Sequence, residues 1–187
     1  CCLSANSVLL GRSGRRPVAS SAGAAASAAT ATESEVVSSL AVRPLGPEAE
    51  VEVRPAGGKG MGAFAVEPIA EGTWLGNYQG VLTTQAETTA RYGDDAKAST
   101  DYLMTVNKER GLSRDARNST HFSKFMNHAE HGNLELRCDQ EEMVVDIYAA
   151  RDIAAGEELT FDYGVSYWIY RPPPEGDSRN FSDPKYR

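Results

Sequence analysis

Three short stretches of the sequence carry groups that could hold a charged ligand. Residues 57–65 are rich in glycine, which lets a backbone turn tightly and approach a ligand closely, so that its peptide N–H groups could meet a carboxylate. Asn127 precedes His128, and an Asn side chain offers both a donor pair and an acceptor. One Asn can therefore hold a zwitterionic ligand by two different atoms. Residues 151–164 alternate as a strand, a turn and a second strand, and end in Phe161-Asp162-Tyr163-Gly164.

Each stretch also has an ordinary structural interpretation. A glycine-rich run between strands is commonly a hairpin turn, and buried Tyr or Phe side chains commonly belong to the core. His128 alone would be read as a structural or surface histidine. Together with His121 and His131 it could form a metal site, but spacings of seven and three residues fit no common zinc pattern. We therefore expect no metal site.

Composition limits the class of protein. The chain has 187 residues, of which 41% are hydrophobic and 24% charged, as in one globular domain with tails. Its net charge of -7 disfavours direct nucleic-acid binding and favours basic protein segments as partners. The three cysteines form no CxxC pair in the part expected to fold, so neither a thiolate zinc site nor a disulfide framework is predicted. No apolar run approaches the roughly 20 residues that span a bilayer, and we expect no membrane association.

The chain divides into three predicted parts. Residues 1–45 are rich in Ala and Ser and have no acidic residue before Glu33, which is typical of an organelle transit peptide or of a disordered N-terminal segment. Residues 46–168 form the predicted domain, in which β-rich runs alternate with turns. Residues 169–187 contain three consecutive prolines and predict an extended, flexible tail.

The predicted domain is rich in short strands. Strands are expected at 50–54, 62–66, 73–82, 102–106, 134–137, 143–149 and 159–161, and helices at 85–92 and 120–127. Many short strands with few helices indicate a β-rich α+β fold.

Taken in order, these stretches resemble the SET-domain family of protein lysine methyltransferases. The resemblance covers roughly residues 51–168. It rests on the glycine-rich turn with Phe64-Ala65, the step 69–72, Tyr78-Gln79-Gly80, Asp115-Ala116, the run 124–129 around Asn127-His128, and the complete run 156–164. The family fold is a set of small curved β-sheets whose C-terminal segment forms a pseudoknot. The resemblance therefore implies that the last two motifs lie side by side.

The resemblance also implies the roles of individual residues. The backbone of Lys59, Gly60 and Met61 would contact the methionine end of S-adenosylmethionine. Asn127 would hold the amino group of this cofactor, and the backbone of His128 would meet the adenine. Tyr163 would be the catalytic tyrosine, with its hydroxyl beside the transferred methyl group. The channel for the substrate lysine would be lined by Tyr78, Tyr102 and Phe161.

The sequence departs from the family pattern after Gly164. No cysteine cluster follows, so the zinc-binding module that often closes the site is missing from the residues that come next. Tyr167-Trp168 stands there instead, and we expect this aromatic pair to pack over the adenine. Ala129 replaces a usual Ser, and Lys124 replaces Arg.

The predicted function is S-adenosylmethionine-dependent lysine N-methylation of a protein, either a histone tail or an organellar protein. The alternative is a catalytically silent SET-fold module that binds a protein partner. Because Phe161 lacks a hydroxyl at the position that controls room around the amine, di- or trimethylated product is expected. A monomer is expected, in a plastid or other organelle if the transit peptide is genuine and otherwise in the nucleus.

Overall fold

The structure is a computed structural model that describes residues 49–93, 101–168, 171–172 and 174–181. Ten strands and three short helical segments occur within these residues. In chain order they are β1 (Val51–Pro55), β2 (Met61–Ala65), β3 (Trp74–Asn77), β4 (Val81–Thr84), α1 (Gln85–Tyr92), β5 (Leu103–Asn107), β6 (Leu112–Asp115), a 3-10 helix (Phe122–Phe125), β7 (Asn127–His128), β8 (Leu134–Asp139), β9 (Val144–Ala149), β10 (Thr160–Phe161) and α2 (Val165–Trp168). The strands form four small sheets, ordered β1-β2, β3-β9-β8, β4-β6-β5 and β7-β10.

The glycine-rich turn closes the hairpin of β1 and β2. The Ala56 N–H donates to the Gly60 carbonyl over 2.8 Å, and the strands pair from Val51 opposite Ala65 to Pro55 opposite Met61. Gly60 has a φ of +81°, which glycine adopts without the steric cost that a Cβ would bring. The turn therefore needs glycine for its backbone shape as well as offering open peptide groups.

The core lies around β9, the central strand of its sheet. Val144 and Val145, whose side chains point to opposite faces of the sheet, are 3% and 1% exposed, so this strand is covered on both faces. Asp146 is also buried, but its carboxylate accepts hydrogen bonds from the Trp74 indole and the Asn77 amide, both over 2.9 Å. These bonds offset the cost of burying that charge.

Helix α1 begins and ends where the sequence predicts. Thr84 caps it in a capping box: its hydroxyl accepts from the Glu87 N–H, and the Glu87 carboxylate accepts from the Thr84 N–H. At its other end, Tyr92 and Arg91 donate to the carboxylate of the buried Asp115. The helix is thereby tied to the end of β6.

The C-terminal segment crosses the middle of the domain. Residues 156–159 bond to the edge of β2, where the Leu159 N–H donates to the Ala63 carbonyl over 2.7 Å. Beyond them, β10 pairs in parallel with β7, placing Phe161 beside His128. The segment thus lies between two elements that are distant in sequence, as the predicted pseudoknot requires. The SET-domain arrangement of small curved sheets is confirmed.

Three local predictions differ from the structure. The predicted strand 73–82 is two strands, because Tyr78 bonds to β9 and Gly80 passes so close to β6 that an added Cβ would lie 2.7 Å from the Asp115 backbone. Strand β6 was not predicted, since Leu112–Asp115 is short and mostly polar. The predicted helix 120–127 is shorter, a single 3-10 turn, because Asn127 and His128 pair with β10.

The part of the predicted tail that the structure describes, residues 171–172 and 174–181, contacts the domain. The Asp177 side chain is 2% exposed and contacts His128, and the Ser178 N–H donates to the Glu130 carboxylate over 2.8 Å. Composition alone gave no indication of these partners.

The predicted N-terminal segment 1–45 lies outside the described residues. None of the helices in the part of the chain that the structure describes has the length and hydropathy of a membrane span.

Candidate active site

A cleft of about 1100 Å³ opens beside the paired strands β7 and β10. Its walls come from the glycine-rich turn, the 3-10 helix, β7, the start of β5, α2 and the C-terminal segment. All ten residues predicted to form the site line this cleft: Lys59, Gly60, Met61, Tyr78, Tyr102, Asn127, His128, Phe161, Tyr163 and Trp168. The fold thus brings together positions spread over more than 100 residues, and their individual roles stay predictions.

Tyr163 is fixed at both its backbone and its hydroxyl. The hydroxyl donates to the Met126 carbonyl over 2.7 Å, and the backbone N–H donates to His128 Nδ1 over 3.2 Å. Burial, followed by the nearby Tyr167, raises the pKa of Tyr163. The hydroxyl is therefore protonated at neutral pH and acts as a hydrogen-bonding group, not as a phenolate.

Aromatic rings surround Tyr163 on several sides. Its ring centroid lies 4.8 Å from those of Phe161 and Tyr167, and 6.3 Å from that of Trp168, which is nearly parallel at 14°. Trp168 also meets His128 edge to face at 5.0 Å. Such ring faces attract a cation and exclude water from the space between them.

Tyr78 and Tyr102 also line the cleft. The buried Tyr78 donates its hydroxyl to the Tyr102 carbonyl over 3.1 Å, and burial together with Asp115 raises its pKa. Tyr102 has a φ of 64°, which is uncommon for a residue with a Cβ. Its carbonyl also accepts from the Ala116 N–H over 3.0 Å, so two hydrogen bonds hold this backbone in place. The Lys124 ammonium lies 5.0 Å from the Tyr102 ring, showing that this wall accommodates a cation.

Glu158 connects the glycine-rich turn to β7, and the sequence analysis did not single it out. Asn127 Nδ2 donates to Glu158 Oε1 over 2.7 Å and to the Met61 carbonyl over 3.1 Å, while Lys59 Nζ lies 3.2 Å from Glu158 Oε2. Asn127 is therefore held in one orientation. Glu158 lies within the run 156–164, and this was the only sequence feature that could have indicated it.

The His128 ring lies between the backbone of Tyr163 and the side chain of Asp177. Because Nδ1 accepts from the Tyr163 N–H, the neutral ring carries its proton on Nε2, which lies 3.2 Å from Asp177 Oδ2. Asp177 in turn pairs with Arg179 over 2.6 Å. No role was predicted for Asp177 or Arg179, because both lie in the stretch 169–187 that was expected to be a flexible tail.

The three histidines do not converge. His121 Nδ1 lies 2.9 Å from the Ser123 hydroxyl and its ring packs against Phe122, whereas His128 faces Asp177. Among the described residues, no group of three or more His, Cys, Asp or Glu side chains is placed to hold a metal ion.

The cleft fits the cofactor that the sequence resemblance implies. A Cβ at Gly58 or Gly60 would meet no atom within 4 Å, so the turn presents an open backbone surface. The side-chain oxygen of Asn127, Oδ1, receives no hydrogen bond from the residues that the structure describes and is available to an ammonium group. Trp168 and Tyr163 supply ring faces for a sulfonium or a purine.

Comparison with known proteins agrees with this geometry. The sequence model of the SET domain matches residues 60–164, more than half of the chain. The chain therefore belongs to the SET-domain family.

Two similar relatives are named as histone-lysine N-methyltransferases. EZH2 of Chaetomium thermophilum is 35% identical over 115 residues, which is 58% of this chain and 8% of that protein. MEDEA of Arabidopsis thaliana is 35% identical over 109 residues, which is 56% of this chain and 15% of that protein. The chain thus spans only a small part of the length of these relatives.

The fold is also similar to that of a solved complex. The structure of ctPRC2 in an autoinhibited conformation bound to S-adenosylmethionine matches with a TM-score of 0.55 and 31% identity, over 62% of this chain and 15% of that one. That structure is named as a complex, and the monomeric state expected for this chain stays a prediction.

Proposed function

We propose that this chain is an S-adenosylmethionine-dependent protein-lysine N-methyltransferase. The observation that carries the proposal is the position of Tyr163. Tyr163 lines one cleft with Asn127 and the glycine-rich turn, which would hold the cofactor, and with Tyr78 and Phe161, which would line the path of the lysine.

The residues of the cleft suit methyl transfer in several ways. When bound, S-adenosylmethionine supplies a methyl carbon on a positively charged sulfur. A free lysine has a pKa near 10.4 and is charged at neutral pH. Loss of water around the entering amine and the like charge of the neighbouring sulfonium both disfavour its charged form and lower the pKa of the lysine. The protonated Tyr163 hydroxyl, fixed by Met126, orients the reacting groups, and alignment of this kind supplies much of a rate enhancement.

Phe161 bears on the number of methyl groups transferred. Its buried ring packs 4.8 Å from Tyr163 and carries no hydroxyl that could hold a water molecule beside the amine. We expect room for an already methylated amine, and therefore di- or trimethylated product.

The overall charge of the chain, -7, supports a basic protein segment as the substrate. Acidic residues outnumber lysines in the lining of the cleft, but Asp101 pairs with Arg171 and Asp177 pairs with Arg179. A histone tail or a basic organellar protein would suit this surface.

Calorimetric titration with S-adenosylmethionine tests the binding half of the proposal. We expect saturable binding that weakens about tenfold or more in Asn127→Ala, because a group that orients the ligand is lost. The matched control is Asn118→Ala, at an exposed position outside the cleft, which should bind like the wild type. Equal binding by both variants would exclude Asn127 as a ligand contact.

Turnover separates an enzyme from a silent binding module. Labelled methyl transfer is measured on mixed histones and on cell extract, with Tyr163→Phe as the variant that removes one hydroxyl. We expect turnover that falls by about 100-fold or more in the variant while cofactor binding persists. Cofactor binding without turnover on either substrate pool would favour the silent module.

A further inference from the structure

The described C-terminal residues 174–181 are attached to the cleft by charged side chains. Residues 174–177 form part of the cleft wall, next to Trp168 and His128. Phe181 meets the Trp168 ring edge to face at 6.3 Å. We call residues 174–181 the C-terminal strap.

Arg179 makes the densest set of contacts in this strap. Its guanidinium bonds both carboxylate oxygens of Asp162, NH1 to Oδ2 over 2.7 Å and NH2 to Oδ1 over 3.0 Å. It also bonds both oxygens of Asp177, over 3.0 and 2.6 Å. A planar, two-pronged pairing of this kind is both stronger and more directional than a single ion pair. The pairing is substantially shielded from water, since the Arg179 side chain is only 17% exposed.

The residues that Arg179 reaches belong to the candidate active site. Asp162 immediately precedes Tyr163, and Asp177 lies 3.2 Å from His128 Nε2. The hydrogen bonds from Arg179 lower the pKa of Asp177, and they also lower the pKa of Asp162 against the opposing effect of burial. Both carboxylates are therefore charged at neutral pH, and the attachment is intact there.

A second contact holds the strap at its middle. The Glu130 carboxylate accepts from the Ser178 N–H over 2.8 Å and from the Ser178 hydroxyl over 2.6 Å. Glu130 follows the Asn127-His128 motif by two residues and lines the cleft. The strap is thus fixed to Glu130 and Asp162, which follow the paired strands β7 and β10 beside the site.

We propose that Arg179 is a positioning residue, which holds the C-terminal strap against Asp162 and His128 so that residues 174–177 form one wall of the cofactor site. The proposal rests on the proposed function for the identity of the ligand. Residues 165–187 contain no cysteine, and an ion-pair latch holds this part of the chain against the cleft.

The first test measures binding and turnover in Arg179→Gln. Loss of the latch leaves the strap closed only part of the time, and apparent affinity falls in proportion to the closed fraction. We expect the dissociation constant for S-adenosylmethionine, and its KM, to rise about tenfold, while kcat at saturating cofactor stays within about twofold. Arg179→Lys keeps the charge but not the two-pronged pairing, and its KM for S-adenosylmethionine should lie between those of the wild type and Arg179→Gln.

Two further variants make this result interpretable. Arg137→Gln removes an exposed arginine that pairs with Glu135 away from the cleft, and it should leave the KM unchanged. Asp177→Asn removes one charge of the latch with little change of shape and should raise the KM in the same direction. A drop in kcat with an unchanged KM in Arg179→Gln would overturn the proposal.

A second measurement tests the latch without any activity. The chain has two tryptophans, Trp168 beside the strap and Trp74 in β3, so fluorotryptophan gives two ¹⁹F resonances. We expect Arg179→Gln to shift or broaden the Trp168 resonance and to leave the Trp74 resonance in place. An unchanged Trp168 resonance would refute the latch even if the enzyme methylates protein. A shifted resonance in a chain that binds no cofactor would refute the proposed function and leave the latch standing.

Discussion

Gly132 lies where the loop after β7 passes over β10. A Cβ added there would lie 2.4 Å from the Thr160 carbonyl oxygen and 2.6 Å from the Phe161 Cα. Both are backbone atoms, which cannot rotate away as the end of a side chain can. Gly132→Ala should therefore push the two crossing segments apart.

The size of the effect follows from these distances. The Cβ must move by at least about 0.6 Å to reach 3.0 Å, the shortest distance that real Cβ atoms show. Overpacking of this kind typically costs about 1–3 kcal/mol. The displacement also disturbs the buried hydrogen bond from the Thr160 N–H to Asn133 Oδ1, which is 2.9 Å long. We expect a total of about 3 kcal/mol, or roughly 10 °C in Tm for a domain of this size.

Thermal and urea unfolding measure this change. Gly58→Ala is the matched control, because its added Cβ would meet nothing within 4 Å and its backbone is not in the left-handed region. The control should change stability by less than about 0.5 kcal/mol. Equal stability of the two variants would refute the close crossing of the C-terminal segment. Loss of methyl transfer should accompany the loss of stability in Gly132→Ala, since Phe161 is displaced together with β10.

Three other predictions concern product, packing and pH. Phe161→Tyr should shift the product toward monomethyl-lysine, and mass spectra with an unchanged share of di- and trimethyl product would contradict this. Asn133→Ala should lower the free energy of unfolding by about 2–3 kcal/mol in urea titrations, because Asn133 is 1% exposed and bonds the Glu158 carbonyl and the Thr160 N–H of the segment that leads into β10. A change below about 0.5 kcal/mol, like that expected at the exposed Asn118, would count against it. A hydrogen bond from Arg151 lowers the pKa of Glu157 from its ordinary 4.5 to about 2. A depressed carboxyl stabilises the fold above its unfolded pKa, so stability should fall as the pH drops from about 5 toward 2, and Glu157→Gln should flatten that slope; parallel acid-unfolding curves for the two proteins would exclude this contribution.

The sequence predicted most of the strands and α1 because their patterns are local. The run of β-branched residues in β9 and the Thr84–Glu87 capping box both act within a few residues. The prediction was wrong where a distant partner decides the conformation. Asn127 and His128 form a strand only because β10 lies beside them, and the sequence alone suggested a helix.

The site residues were predicted because the motifs, in their order along the chain, resemble those of the SET-domain family. The fold brings all of these residues to one cleft. The residues that support them were not predicted. Glu158 orients Asn127 across 31 residues of sequence. Arg179 bonds Asp162 across 17 residues and also bonds the nearby Asp177. Charged side chains in a turn or a tail give no local indication of such partners.

Labelled methyl transfer to protein lysine measures the proposed activity itself. Wild type and Tyr163→Phe, matched for folding by circular dichroism and for cofactor binding by calorimetry, are incubated with histones and with cell extract. The products are then read by mass spectrometry. We expect methyl-lysine from the wild type and a loss of about 100-fold or more in the variant. Equal methylation by both proteins would contradict the role of Tyr163, and no methyl-lysine from a wild type that binds the cofactor would contradict the enzyme itself.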